Sequence, residues 1–169
     1  MKKYYKNIKD LSLIECEQHL NDIKQLYKDV LTKHPNSLAI SIEEVEKIIT
    51  IDFLKSYVEN GKASCYFVDS KLVGLFVYKW GIYRSHKHIL DNPTLLTNHS
   101  GAGAILIQYA VDYFVATNSN LDYKVFNITA FENNVKFYQK FGFKRVCKLY
   151  KVHNKDLHSM QIIYDKNSH

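Results

Sequence analysis

Residues Asn98-His99-Ser100-Gly101-Ala102-Gly103-Ala104 stand directly ahead of an apolar run, Ile105 to Phe114. On propensity alone, glycine is a poor residue with which to open a helix and a good one for a loop. It also leaves main chain reachable. The first turn of a helix holds unpaired N–H groups and a partial positive charge. With no Cβ at Gly101 and Gly103, a diphosphate can come close to those groups. Ala102 and Ala104 keep the loop small, and Ser100 adds a hydroxyl donor. Small residues here would equally serve close helix packing, so the loop alone leaves both roles open. Two nucleotide-binding patterns are absent. There is no G-x-x-x-x-G-K-[ST] run. A dinucleotide loop follows the first strand of a repeated βαβ array, whereas helical and hairpin patterns come first here.

A second group with chemical capacity is Tyr138. A phenol can act as a proton donor. Phe137, Tyr138 and Phe141 also make an aromatic helix face, a common core pattern. Candidate proton acceptors are His86, His88, Asp91 and His99, and nothing in the sequence singles one out. Lys136, Lys140, Lys144 and Arg145 surround Tyr138 and could meet an anion, or simply solvate a helix end.

These groups need elements to hold them. Apolar residues recur at helical spacing between Ile14 and Thr32, and His34-Pro35-Asn36-Ser37 breaks the pattern. Ser41 with Glu44 predicts a capping box and a second helix, ending near Asn60-Gly61. Ala63–Asp69 and Lys71–Trp80 read as a hairpin turning at Asp69-Ser70-Lys71. The stretch from Gly81 to Asn98, which contains Pro93, predicts only a short or irregular strand near Leu95. A helix from Gly103 to Thr117, a strand from Lys124 to Ala130, a helix from Asn134 to Phe141, and two last strands (Phe143–Val152 and Ser159–Asp165) complete the order. The central strand-helix-strand unit predicts a parallel pair inside a mixed sheet, with antiparallel strands on both sides and helices on both faces.

The 169 residues suit one domain, and 46% apolar content suits a packed core. The net charge of +6 permits an anionic ligand without requiring nucleic acid, because the basic residues are scattered and no RNA-binding motif with interleaved aromatics occurs. Cys16, Cys65 and Cys147 are odd in number and lack metal-ligand spacing. They predict reduced thiols in a cytoplasmic protein without a metal, with Cys147 buried in its strand. The N-terminus lacks the apolar stretch of a signal peptide, and no apolar run approaches the roughly 18 residues of a membrane span.

The loop, the order of elements and the stretch Asn133 to Val146 together resemble the GCN5-related N-acetyltransferases (GNAT). That family shows [Q/R]-x-x-G-x-[G/A] at this loop. Here the run is Asn98-His99-Ser100-Gly101-Ala102-Gly103, so the glycines agree and the first position departs. Tyr138-Gln139-Lys140-Phe141-Gly142-Phe143 agrees with the family's Tyr-x-x-x-Gly-Phe signature, and Met160-Gln161-Ile162 is similar to its closing strand. The resemblance implies a mixed, mostly antiparallel α+β sheet with a central splayed parallel pair, and a single acyl-CoA N-acyltransferase-like domain over residues 1–169. It implies acetyl-CoA as donor and a small-molecule or peptide amine as acceptor. Asn98, His99, Ser100, Gly101, Ala102, Gly103 and Ala104 would meet the diphosphate. Leu95 and Leu96, with Phe126 and Asn127, would meet the pantetheine arm, and a main-chain N–H near Leu95 or Leu96 the oxyanion. Tyr138 would be the general acid. The family's cofactor-contacting Asn falls on Phe131 here, so Asn133 or Asn134 is the substitute, although Asn133 equally suits a helix N-cap. The two departures keep open a CoA-binding module without catalysis. The charge keeps open an RNA-associated acceptor. Such folds often pair through strand edges, which makes a homodimer an expectation.

Overall fold

The structure, a computed structural model, describes residues 3–83, 86–117 and 121–165, and the side chains of these apart from 3–4 and 82–92. Its contacts fall into two compact units, Met1–Lys79 with Thr94–Ile107, and Trp80–Pro93 with Gln108–His169.

The first unit carries β1 (Ile8–Asp10), α1 (Leu13–Gln18), α2 (Leu20–Lys33), α3 (Val45–Ile48), α4 (Ile51–Asn60), β2 (Gly61–Val68), most of β3 (Lys71–Tyr83) and the end of β4 (His86–Thr97). Its strand order is β1-β2-β3-β4. β1 and β3 both run antiparallel to β2, with Ile8 opposite Tyr66 and Cys65 opposite Leu75. The β2–β3 turn has Asp69 and Ser70 at φ 51° and 65°, the two-residue geometry whose twist suits a hairpin. Ile23, Leu26, Val30, Leu54, Cys65, Leu75, Val77 and Leu96 share one core, so the helices α1–α4 cover one face of these strands. The other face carries the first turns of α5 (Ala102–Ala116): a Cβ added at Gly74 would lie 2.9 Å from Leu106 Cδ1.

The expected elements differ here in three places. The helix read from Ile14 is two, because His19 leaves helical geometry at φ −101°, ψ 7°, and Ser12 with Glu15 caps the first. The helix read from Ser41 to Asn60 is also divided. The Ser41–Glu44 capping box is present, but Thr50 is extended and its side chain accepts the Phe53 N–H, starting α4 anew. Finally, the stretch before the glycine loop is a twelve-residue strand that runs through Pro93.

The second unit holds the start of β4, most of α5, β5 (Tyr123–Phe131), α6 (Val135–Gln139), β6 (Lys144–Val152) and β7 (Lys155–Asp165). Its order is β4-β5-β7-β6. β4 pairs parallel to β5 over Lys87–Ile89, and β7 pairs antiparallel to β5 from Tyr123 opposite Asp165 to Phe131 opposite Leu157. The chain is therefore mixed α+β with mostly antiparallel strands. Alternate β5 residues Lys124, Phe126, Ile128 and Ala130 are buried, as the period of a strand requires. β6 ends the order and is exposed along nearly its whole length. That corrects one expectation: Cys147 is exposed, because an edge strand lying clear of the core shows both faces to solvent whatever its apolar content.

Lys124 is 1% exposed. Its Nζ donates to the carbonyls of Phe114, Val115 and Thr117, each at 2.8 Å, and lies 4.7 Å from the Tyr164 ring centre. The last carbonyls of a helix have no partners of their own, and α5 carries no basic residue in its last turn. Lys124 supplies from β5 both the donors and the positive charge. Lys124→Met removes the donors while keeping the stem, so urea denaturation should show a loss of about 2–4 kcal/mol, with the slope against urea unchanged.

Candidate functional site

The glycine loop is built by β3 and β4. Asn98 N–H donates to Val73 O at 3.1 Å and fixes the chain as it leaves β4. Gly101 then takes φ +83°, a conformation open to glycine and strained for other residues. No atom lies within 4 Å of the place a Cβ would occupy, so the glycine is required by the backbone angle and its surroundings are clear. The turn that starts α5 uses Ala102 N–H on His99 O at 3.2 Å, and Ile105 N–H on Gly101 O at 3.3 Å. Among the described residues, the amides of Gly101, Gly103 and Ala104 have no acceptor. Of the four amides singled out in the sequence, three are thus open and that of Ala102 is engaged. The first turn of α5 contains no acidic residue, so its partial positive charge is not met from within the helix.

The side chains around this loop are mainly polar. Ser100 and His99 are exposed. His99 Nδ1 lies 3.0 Å from Ser100 O. A carbonyl only accepts, so Nδ1 is the donor there. Asn98 and His99 border a cavity of about 650 Å³ shared with Lys33 at the end of α2 and Lys71 at the start of β3. Neither lysine has a carboxylate partner among the described residues, although Asp29 and Asp69 also line the cavity. These lysines were not among the sequence candidates. Their separation from the loop in the chain hides them, and only the hairpin register brings Lys71 near β4. Leu96 is 1% exposed within the first core, so its side chain serves packing and only its main chain is available to a ligand, while Leu95 is half-buried.

In the second unit, α6 presents Tyr138. Ring centres of Phe137 and Tyr138 are 5.2 Å apart, those of Phe137 and Phe141 are 5.3 Å apart, and Tyr138 to Phe143 is 6.0 Å, all edge-on. Phe143 meets Phe126 of β5 at 5.0 Å, which joins this aromatic group to the sheet. Gly142 at φ +97° ends the turn, with its N–H on Gln139 O. Tyr138 is half-buried, and its hydroxyl has no partner among the described residues. Burial pushes its pKa up to about 12, so the phenol keeps its proton throughout the neutral range. Asn133 is exposed within the 3₁₀ turn Glu132–Asn134 and caps no helix: Phe131 and Asn134 hold the capping positions, without side-chain bonds. Lys136, Lys140 and Lys144 are exposed, and Arg145 lies 3.7 Å from Glu132. The side chains of His86, His88 and Asp91 lie outside those described.

Several solved structures share this architecture. A ribosomal-protein-alanine N-acetyltransferase from Brucella melitensis is 17% identical with a TM-score of 0.64, over 92% of this chain and 98% of its own. An acetyltransferase of the GNAT family from Streptococcus pneumoniae gives 14% and 0.65, over 93% and 98%. A PaiA N-acetyltransferase from Thermoplasma acidophilum, solved in complex with coenzyme A, gives 18% and 0.58, over 93% and 98%. The chain has the GNAT fold. No protein-family model and no curated protein sequence matches it.

In this GNAT fold, the first unit offers open amides at a helix start, which can hold a diphosphate. The second offers a neutral phenol on a short helix, which can give up a proton. Among the described residues there is no group of three or more metal-ligating side chains, and no helix is long and apolar enough to cross a membrane. Gly101→Val should leave a folded protein, with about 1–2 kcal/mol of backbone strain read by thermal unfolding, because the space around the new side chain is clear.

Proposed function

We propose that the protein is an N-acetyltransferase, moving an acetyl group from acetyl-CoA directly to a primary amine. The observation that carries this reading is the set of open amides at Gly101, Gly103 and Ala104, on a loop that follows a strand and opens a helix with no acid in its first turn. Main-chain N–H groups at a helix start are suited to a diphosphate. Lys33 and Lys71 add positive charge to the cavity that Asn98 and His99 border on one side of the loop. Asn98, Ser100 and Asn133 are assigned polar contacts to the cofactor, and the main chain at Leu95 and Leu96 contacts to its pantetheine arm. The single-domain reading of residues 1–169, the opening of β4 from β5 beyond Ile89 and Phe126, and a cytoplasmic setting belong to the same proposal.

A thioester is already activated, so the protein has three tasks: to orient the donor, to let the amine lose a proton, and to protonate the leaving sulfur. A lysine-like amine, pKa ~10.4, is neutral about once in a few thousand molecules at pH 7, a barrier of roughly 4.6 kcal/mol. Loss of that proton to a base or to water removes part of it. The amine nitrogen then bonds to the acetyl carbon and gives its second proton to solvent, the carbon–sulfur bond breaks, and the thiolate takes the proton of Tyr138. The phenol regains a proton from solvent. Burial serves this task by keeping Tyr138 in its acid form. The acceptor is a small molecule or a peptide amine.

Two measurements test the reading. Titration with coenzyme A should shift the amide resonances of residues 99–105 and release heat in calorimetry. Unmoved resonances and no heat at millimolar ligand would sink it. Tyr138→Phe should lower kcat by about 10²–10⁴ while coenzyme A binding heat is retained. In the unaltered protein, the descending limb of kcat due to Tyr138 should lie near pH 12, since its acid form persists up to that value. Activity should rise from neutral pH as the amine loses its proton, with no fall at pH 8–9 from this residue.

A further inference from the structure

α6 is five residues long, far too short to stand by its own hydrogen bonds. Its trailing end is held by the Gly142 turn and by Phe143, which is 1% exposed. Its leading end lacks such support. Phe131 and Asn134, the residues at the two capping positions, make no side-chain cap, and Glu132, Asn133 and Asn134 are all exposed. What ties this end down, apart from buried Val135, is Glu132. One of its carboxylate oxygens meets His158 Nε2, and the other lies 3.7 Å from Arg145.

His158 is an unusual residue to find there. It is 4% exposed on β7, directly opposite Ala130. It shares a sheet face with Ala130 and Phe126, the face on which Phe126, Phe143 and Tyr138 stack. Its Nδ1 is buried and has no partner among the described residues. A buried polar ring with one unmet nitrogen is unfavourable where an apolar side chain would pack, as Met160 does two residues on. The bond to Glu132 is what the histidine adds. A carboxylate only accepts, so Nε2–H donates to Glu132.

We infer that His158 and Glu132 form a positioning clamp, fixing the start of α6 against β7 so that Tyr138 is held in one direction. The inference rests on the proposed acetyl transfer for its kinetic arm, and on the geometry alone for its structural arm. Neither residue is assigned a contact with cofactor or acceptor.

The test compares His158→Leu, which removes the donor, with His158→Gln, whose amide nitrogen can replace Nε2, and with Glu132→Ala, an exposed site where folding is preserved. Amide hydrogen exchange over residues 135–141 should quicken about tenfold or more in His158→Leu and Glu132→Ala, with α5 unchanged, and return toward the original rate in His158→Gln. With acetyl-CoA and an accepting amine, kcat should fall about 10–100-fold in the same two variants, KM for acetyl-CoA should move less than threefold, and His158→Gln should recover most of kcat. Unchanged exchange in Glu132→Ala overturns the clamp, even if His158→Leu fails to fold. So does a loss of kcat in His158→Gln equal to that in His158→Leu. If the unaltered protein acetylates no amine, the acetyltransferase reading falls, and the exchange rates alone decide on the clamp.

Discussion

The arrangement depends on how the two ends of α5 are satisfied. The helix is apolar nearly throughout, with no acid in its first turn and no base in its last. Its own sequence therefore meets neither set of orphan backbone groups. At the far end Lys124 enters from β5 and gives three hydrogen bonds to carbonyls, at the expense of a buried ammonium group. Such a cation is tolerable because every proton has an acceptor in the negative end of a helix. At the near end no side chain plays the corresponding part. Ala102 N–H turns back to His99, and the amides on either side of it stay open. Closing one end with a buried side chain and leaving the other to solvent is what makes that turn available to an anion.

The open end is held still by packing on its inner side. Ala102 is fully buried, and Gly74 of β3 makes room for Leu106 one turn later, so the helix start sits close on the strands. Asn98 is tied to Val73 on the same strand. The loop between them spans few residues and has one unusual backbone angle, at Gly101. A rigid loop of this kind presents its amides without first having to be ordered, which favours binding.

Much of this was legible from sequence where the signals are local. The hairpin at Asp69-Ser70 is such a case, because a two-residue turn between β-branched and aromatic runs has few alternatives. The Gly142 stop and the glycine loop are others. The misreadings came from competition between local and distant terms. The Ser41–Glu44 box is real, yet Thr50 restarts the helix because its hydroxyl caps Phe53. Pro93 weakens a strand in any local reading, yet β4 runs through it from His86 to Thr97. Cys147 looked buried because its neighbours are apolar, whereas burial on β6 depends on its place at the end of the sheet order. Lys124, in a strand of apolar alternation, gives no sign of reaching α5. Glu132 and His158 are 26 residues apart and meet only through the β5–β7 register.

The departure at Asn98 from the family's usual Gln or Arg has a physical reading in these terms. A side chain at that position can add one or two hydrogen bonds to a phosphate, but three open amides and the end of a helix remain without it. Main-chain recognition constrains backbone angles and side-chain size far more than side-chain identity. It asks for glycine at φ +83°, for a small residue buried under the helix start, and for little else. Lys33 and Lys71, on other elements, line the cavity that Asn98 and His99 border. Tyr138 differs in kind. As the proposed proton donor it works through one atom in one place, so on that reading the demands fall on the five residues of α6 and on whatever fixes their direction. On the proposed reading the loop's demands fall on its main chain, whereas the tyrosine helix is braced from outside, by Phe143 behind it and by Glu132 and His158 ahead of it.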